Sequence, residues 1–146
     1  MGGEDAMGKF EVKHKNPAGL FDSKFYSQMV TVSGNAKTIY IGGLNAINAD
    51  EQLIGPNDFE LQSRQVLENL RIALASENAT YNDLIKLNVY MVDGCDFLVG
   101  FKIFREKVGL LTKPPLLTVL KVAGLANPLC LVEIDAIAVV EDKERC

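Results

Sequence analysis

The side chains able to do chemistry in this sequence are few and dispersed. There is one histidine, His14, which excludes a His-rich metal site and reads as a surface residue. The cysteines, Cys95, Cys130 and Cys146, are odd in number and follow no ligand spacing. They form neither a disulfide framework nor a zinc site, and read as reduced thiols. Two acids stand out, Glu133 and Asp135, because they interrupt an otherwise apolar run, Leu131-Val132-Glu133-Ile134-Asp135-Ala136-Ile137-Ala138. A carboxylate in such a run needs partners whether or not it catalyses. Glu133 therefore has two open readings: an acid/base group, or an interface carboxylate satisfied by backbone amides or water. Cys130 lies three positions before Glu133, so strand alternation points it away from the acid. A thiol without a basic neighbour is a weak nucleophile.

These residues must be positioned by strands and helices, and the pattern is legible. Residues 131–140 read as the last strand. Val132, Ile134, Ala136 and Ala138 share one face and suit a core under helices. Leu131, Glu133, Asp135, Ile137 and Val139 share the other. That second face is too apolar for solvent, and the chain has no helices left to cover it. Subunit association is the simplest cover. Ahead of it, residues 84–92 form a strand with Ile85, Leu87, Val89 and Met91 on one side and Lys86, Asn88 and Tyr90 on the other. Asp96 caps a helix whose apolar stripe is Phe97, Phe101, Phe104 and Val108. Pro114-Pro115 ends any helix and opens an extended segment, 116–122.

An earlier helix starts at Asp58 or Asn57 and ends near Asn78. Phe59, Val66, Leu70, Ala73 and Leu74 make its buried stripe, while Gln62, Arg64, Glu68 and Arg71 fill the rest. Residues 10–13 could be a first strand. Residues 29–33 and 38–41 read as a hairpin turned by Gly34-Asn35, and 42–57 as loop. The order is β-β-β-α-β-α-β-β, an α+β fold with a mixed sheet and two helices on one face.

The whole-chain properties narrow the function. Hydrophobic residues make up 48% and charged residues 23% of the 146 residues, and the net charge is −4. This suits one globular domain, residues 10–141, between a flexible leader, 1–9, and a short tail, 142–146. The acidic balance argues against nucleic acid, which asks for a basic patch. Lys13-His14-Lys15 is too short to supply one. The first residues lack the apolar region of a signal peptide, and Ala6 stands where myristoylation wants Ser or Thr. No apolar run approaches membrane-spanning length. The expectation is a cytoplasmic protein.

The ordered blocks Tyr26-Ser27-Gln28, Val32-Ser33-Gly34, Ile39-Tyr40-Ile41-Gly42-Gly43, residues 65–74, residues 83–93, Val122-Ala123-Gly124-Leu125 and 131–138 resemble the RidA/YjgF (reactive intermediate deaminase) family. The resemblance spans residues 16–140. It implies a chorismate-mutase-like fold and a homotrimer with its sheets packed in a central barrel. It also implies small-molecule clefts between subunits. Family members with a full site hydrolyse enamines and imines to 2-keto acids and ammonia, with no metal or organic cofactor.

Such a substrate carries a carboxylate, which a guanidinium holds bidentately better than any other side chain. A carboxylate must also orient the attacking water. The resemblance assigns that water-orienting role to Glu133 and places Tyr26 at the cleft mouth. It places Pro115 and Thr118 on a Pro-x-Arg-Thr-like motif, but Leu117 stands where the family has Arg. Phe101 replaces a family Asn, and Gly42 a Ser, while Gly43 keeps the Gly. The implied site is thus catalytic Glu133 with substrate-binding Tyr26, Gly42, Gly43, Phe101, Leu117 and Thr118.

Two bases could stand in for the missing clamp. Lys121 shares Leu117's strand face but lies roughly 13 Å further along. Arg105, one helical turn from Phe101, could reach the cleft rim. Two functions follow from this remodelled cleft: an imine or enamine hydrolase of altered substrate class, weak or inactive on 2-iminopropanoate, or a non-catalytic trimer binding a ligand or protein there. A ribonuclease activity, sometimes attached to the family, fits the acidic chain least.

Overall fold

A computed structural model describes residues 8–144. Along the chain run β1 (Glu11–Lys15), β2 (Met29–Ser33), β3 (Ala36–Leu44), α1 (Phe59–Ala75), a 3-10 turn (Tyr81–Asp83), β4 (Leu84–Val92), α2 (Phe97–Val108), β5 (Leu116–Val122) and β6 (Val132–Glu141). The expected order holds, with the 3-10 turn added. Thr80 and Asp83 cap that turn reciprocally, each side chain meeting the other's end of the backbone. Ala6 and Cys146 lie outside the described residues.

The main sheet runs β3-β6-β4-β5. β6 is antiparallel to both β3 and β4, whereas β4 and β5 are parallel. The sheet is therefore mixed, and α2 is the crossover that a parallel pair requires. β6 occupies the centre as its alternation implies: Val132, Ile134, Ala136 and Ala138 are buried. They meet Val66, Leu67, Leu70 and Leu74 of α1 in one core. Asp58 opens α1 by accepting a hydrogen bond from the Leu61 amide at 3.0 Å, which satisfies a first-turn donor. Asn78, with φ of 57°, turns the chain out of the helix.

Four expectations need correction. First, β2 and β3 do not form a hairpin; β2 pairs with β1, and β3 with β6. A two-residue type I′ turn needs positive φ at both central residues, and only Gly34 of the pair has it, at 82°. Asn35 is instead tied to the end of β6, donating from Nδ2 to the Asp142 carbonyl at 2.8 Å and accepting from the Asp142 amide at 3.0 Å.

Second, Gln62 is not on the solvated side of α1 but fully buried. It sits four residues before Val66, on the apolar stripe, and its amide is consumed by backbone. Nε2 donates to the Gly55 and Leu129 carbonyls, each at 3.0 Å, and Oε1 accepts from the Leu131 amide at 2.7 Å. Third, Ile85 does not extend the inward face of β4. The register slips by one between Leu84 and Lys86, so Leu84 takes the core position and Ile85 absorbs the bulge.

Fourth, the stripe on α2 is only half-buried, and Phe97 is 41% exposed; Ile103 is the residue fully enclosed. The reason is that α2 leans on α1 and stands off the sheet. Its aromatic side spans a gap, and that gap is the cavity described next.

Candidate functional site

The gap is a cavity of about 570 Å³ between the two helices and the inward faces of β4, β5 and β6. This is within the size range of small-molecule sites. Tyr26, Phe101 and Leu117 all line it. Leu117 does so because it pairs with inward-facing Leu87. Tyr26 is brought there by the residues around Pro114-Pro115. Prolines cannot donate, and their extended backbone leaves the carbonyls of 114 and 115 free to accept. Ser27 uses both: its hydroxyl donates to the Pro114 carbonyl and its amide to that of Pro115 at 3.0 Å. His14 also meets the Pro114 carbonyl, through Nδ1 at 2.8 Å. The expected surface histidine is thus a half-buried strut of this junction.

Arg105 does reach the rim. Its guanidinium carbon lies 5.8 Å from the centre of the Phe25 ring and 5.9 Å from that of Phe101. Phe101 in turn meets Phe25 edge-on at 5.3 Å. A cation held on two ring faces is stabilised by their quadrupoles, so the aromatic mouth is where Arg105 rests. Lys121 pairs with Met91, four places beyond Leu117. Among the described residues no cationic side chain lines the cavity itself.

Glu133, Gly42 and Gly43 lie elsewhere. Val132 and Ile134 point into the cavity, so Glu133 points to the opposite sheet face. It is packed against Gly43, where an added Cβ would come within 2.7 Å of Glu133 Oε2. The β3–β6 register is irregular between Ile41 and Leu44, and that irregularity makes room for the carboxylate. Thr118 is exposed and pairs with Asn88 on this same outer face.

The outer face also carries a cluster that the sequence reading passed over. Asn88 Nδ2 donates to Asp135 Oδ1 at 2.7 Å. Hydrogen bonding toward Asp135, then burial, then the charges of Asp135 and Glu133, push the Tyr90 phenol above its ordinary range. Alternation puts Asn88 and Tyr90 on one face of β4 and Glu133 and Asp135 on one face of β6, and the β4–β6 pairing joins those faces.

The expected site residues thus form two groups on opposite faces of one sheet. Leu117, Leu87 and Ala136 share a row, whereas Glu133 pairs with Tyr90. Three residues along and two strands across put Leu117 and Glu133 about 14 Å apart in the plane of the sheet. Within one chain, no small molecule touches both. Among the described residues no cluster of His, Cys, Asp or Glu could hold a metal. Nor is either described thiol activated: burial raises the thiol pKa of Cys130, with Glu133 adding to it, and burial raises that of Cys95 against a small opposing effect of Lys121.

Two helices packed on one face of a mixed sheet, with an apolar chamber beneath them and acids on the other face, define a small α+β protein. The particular family is the one whose ordered blocks the sequence carries: the chain belongs to the RidA/YjgF family, described as Endoribonuclease L-PSP, whose model matches residues 21–140. A RutC family protein of Pyrococcus horikoshii is 34% identical over 116 residues, covering 80% of this chain and 87% of that protein. The Rid-family protein YyfB of Yersinia pestis shares the fold with a TM-score of 0.75 and 29% identity, over 88% of this chain and 98% of that one. RidA of an Antarctic Psychrobacter matches with a TM-score of 0.63 and 26% identity, over 82% of this chain and 97% of that one. No helix among the described residues is long and apolar enough to cross a membrane.

Proposed function

We propose that this chain is a divergent RidA/YjgF-family protein that acts as a homotrimer, with a small-molecule cleft formed where the cavity face of one subunit meets the Glu133 face of the next. The observation that carries this reading is the separation of the two groups. Tyr26, Phe101 and Leu117 face the cavity, and Glu133 with Gly42, Gly43 and Thr118 occupies the other side of the same sheet. Only a second copy brings an acid to the apolar wall. Ile137 and Leu120 on the outer face supply apolar surface for that contact, Leu120 being 48% exposed.

The chemistry fitting such a cleft is hydrolysis of an enamine or imine of altered substrate class. Glu133 would orient water and relay its proton. The wall at Leu117 offers a substrate carboxylate no partner. Two charge-assisted hydrogen bonds of about 1.5–3 kcal/mol each are lost with the clamp, roughly two to four decades in rate. No cofactor is required by this reaction. The unpaired thiols of Cys95 and Cys130 support a reducing, cytoplasmic setting. A second reading is a non-catalytic trimer that binds a ligand or protein at this cleft; it is favoured by the joint replacement of polar positions by Leu117, Phe101 and Gly42.

The test is an activity screen over imines with and without a carboxylate, on the wild type and Leu117→Arg. Little or no turnover of 2-iminopropanoate by the wild type is expected, with gain by the variant. Wild-type turnover of 2-iminopropanoate at ordinary enzyme rates contradicts the altered substrate class. No turnover of any imine by either protein favours the non-catalytic reading.

A further inference from the structure

The cavity extends beyond the three wall residues of the cleft, deep beneath the helices. Val66 and Leu67 of α1 and Val132 and Ile134 of β6 also line it. Folded cores contain few voids larger than a water molecule, so a chamber of this size is not ordinary packing. It exists because α2 stands off the sheet and bridges the gap with Phe101 and Phe104 rather than with backbone.

One polar side chain of the helix borders this chamber. Ser63 is 7% exposed, lines the cavity, and its Oγ is buried without a hydrogen-bond partner. A mid-helix serine ordinarily bonds back to the carbonyl four residues earlier; this one does not. A buried hydroxyl without a partner is costly. Water is a poor remedy, because a buried water needs two to four polar partners and the surrounding wall is aliphatic and aromatic. Among the described residues, Tyr26 is the one other side chain of the lining with a hydroxyl, and the lining holds no carboxylate, ammonium, guanidinium or imidazole.

We propose that this cavity binds a neutral, largely apolar small molecule with a single hydrogen-bond acceptor, such as a ketone or aldehyde carbonyl, held by the Ser63 hydroxyl. A void of about 150 Å³ takes one benzene ring. A chamber of about 570 Å³ therefore admits a two-ring or branched-chain molecule with its substituents. A charged ligand is disfavoured, because nothing in the chamber repays the loss of its hydration. The entrance is largely apolar: Phe25, Phe97 and Leu98 are 49%, 41% and 70% exposed, and the one charge at its rim, the Arg105 guanidinium, rests on the Phe25 and Phe101 rings. This inference rests on reading the Tyr26–Phe101–Leu117 wall as ligand-facing, and it deepens that reading by naming the ligand class. It does not depend on hydrolysis.

The test uses the neutral fluorophore 6-propionyl-2-(dimethylamino)naphthalene, which has two fused rings, one carbonyl and an emission that reports polarity. Titrated into the full-length protein, it is expected to bind saturably with blue-shifted emission. Ser63→Ala removes one neutral hydrogen bond, so it should weaken binding about fivefold. In the absence of probe the same variant should melt no lower than the wild type, because it also removes an unsatisfied buried hydroxyl. A serine with a purely structural role would not give that opposite pair of effects. Val119→Phe, which fills the chamber from β5, should abolish binding. Leu98→Asp, at the exposed mouth, should weaken binding in a variant whose fold is not at risk. Absence of saturable binding, or equal affinity in Ser63→Ala, overturns the inference. The imine screen separates the two readings. Probe binding without turnover leaves this inference standing and removes the hydrolytic one. Turnover without probe binding removes this inference alone.

Discussion

Replacing Gln62 by Leu should be among the most damaging single changes in α1. The side chain is fully buried and makes three hydrogen bonds, to the carbonyls of Gly55 and Leu129 and from the amide of Leu131. Leucine matches its size but leaves all three backbone groups without this partner. Each unsatisfied buried group costs about 1–3 kcal/mol. The two carbonyls sit in loops and can turn toward water, so the expected total is about 3 kcal/mol, mostly from the Leu131 amide. Against a typical stability of about 5–15 kcal/mol this is large. It corresponds to a fall in Tm of roughly 10 °C for a chain of this length. Urea denaturation of both proteins measures the difference directly. A loss below about 1 kcal/mol would show that the amide is not holding residues 129–131. The Gln62→Glu variant adds a sign test. Its carboxyl faces two carbonyls, so its folded pKa is raised above the unfolded value. The stability of this variant is then fullest below the unfolded pKa and falls as pH rises through the folded one.

The other expectations are local. Gly34→Ala should cost about 2 kcal/mol or more, since φ there is positive and an added Cβ runs into the Lys9 carbonyl and comes within 2.7 Å of the Phe10 amide nitrogen. Gly42→Ala is the control: its Cβ meets nothing within 4 Å, so denaturation curves of the two variants should separate clearly. Ultraviolet titration should find two phenols ionising above their ordinary range, Tyr81 through burial and Tyr90 on the outer face, and Asp135→Asn should bring only Tyr90 back toward that range. The Tyr90–Asp135 hydrogen bond stabilises the fold below the unfolded phenol pKa and is lost as pH rises through the raised folded one.

What could be read from sequence was what repeats. The two-residue period of β6 gave both its faces, and the capping acids Asp58 and Asp96 marked where helices begin. Single long-range contacts were not legible. Gln62 looked solvated because its three partners lie in two loops, one of them 67 to 69 residues away. The Gly34-Asn35 pair looked like a hairpin because the pull of Asp142 on Asn35, 107 residues away, leaves no local trace. The site was half legible. Its residue types came through the family likeness. Their division between the two faces follows from alternation, since Leu117 pairs with inward Leu87 while Glu133 lies between inward Val132 and Ile134. That step needed the strand order. The chamber behind Leu117 was not legible, because a helix standing off a sheet has the same apolar stripe as one packed flat upon it.

The central claim is that the site is completed between chains. Sedimentation equilibrium of the purified protein tests it most directly. For a chain of 16.0 kDa the account predicts a species of three times that mass at micromolar concentration. A single species at 16.0 kDa would contradict it, since Leu117 and Glu133 would then never face the same ligand.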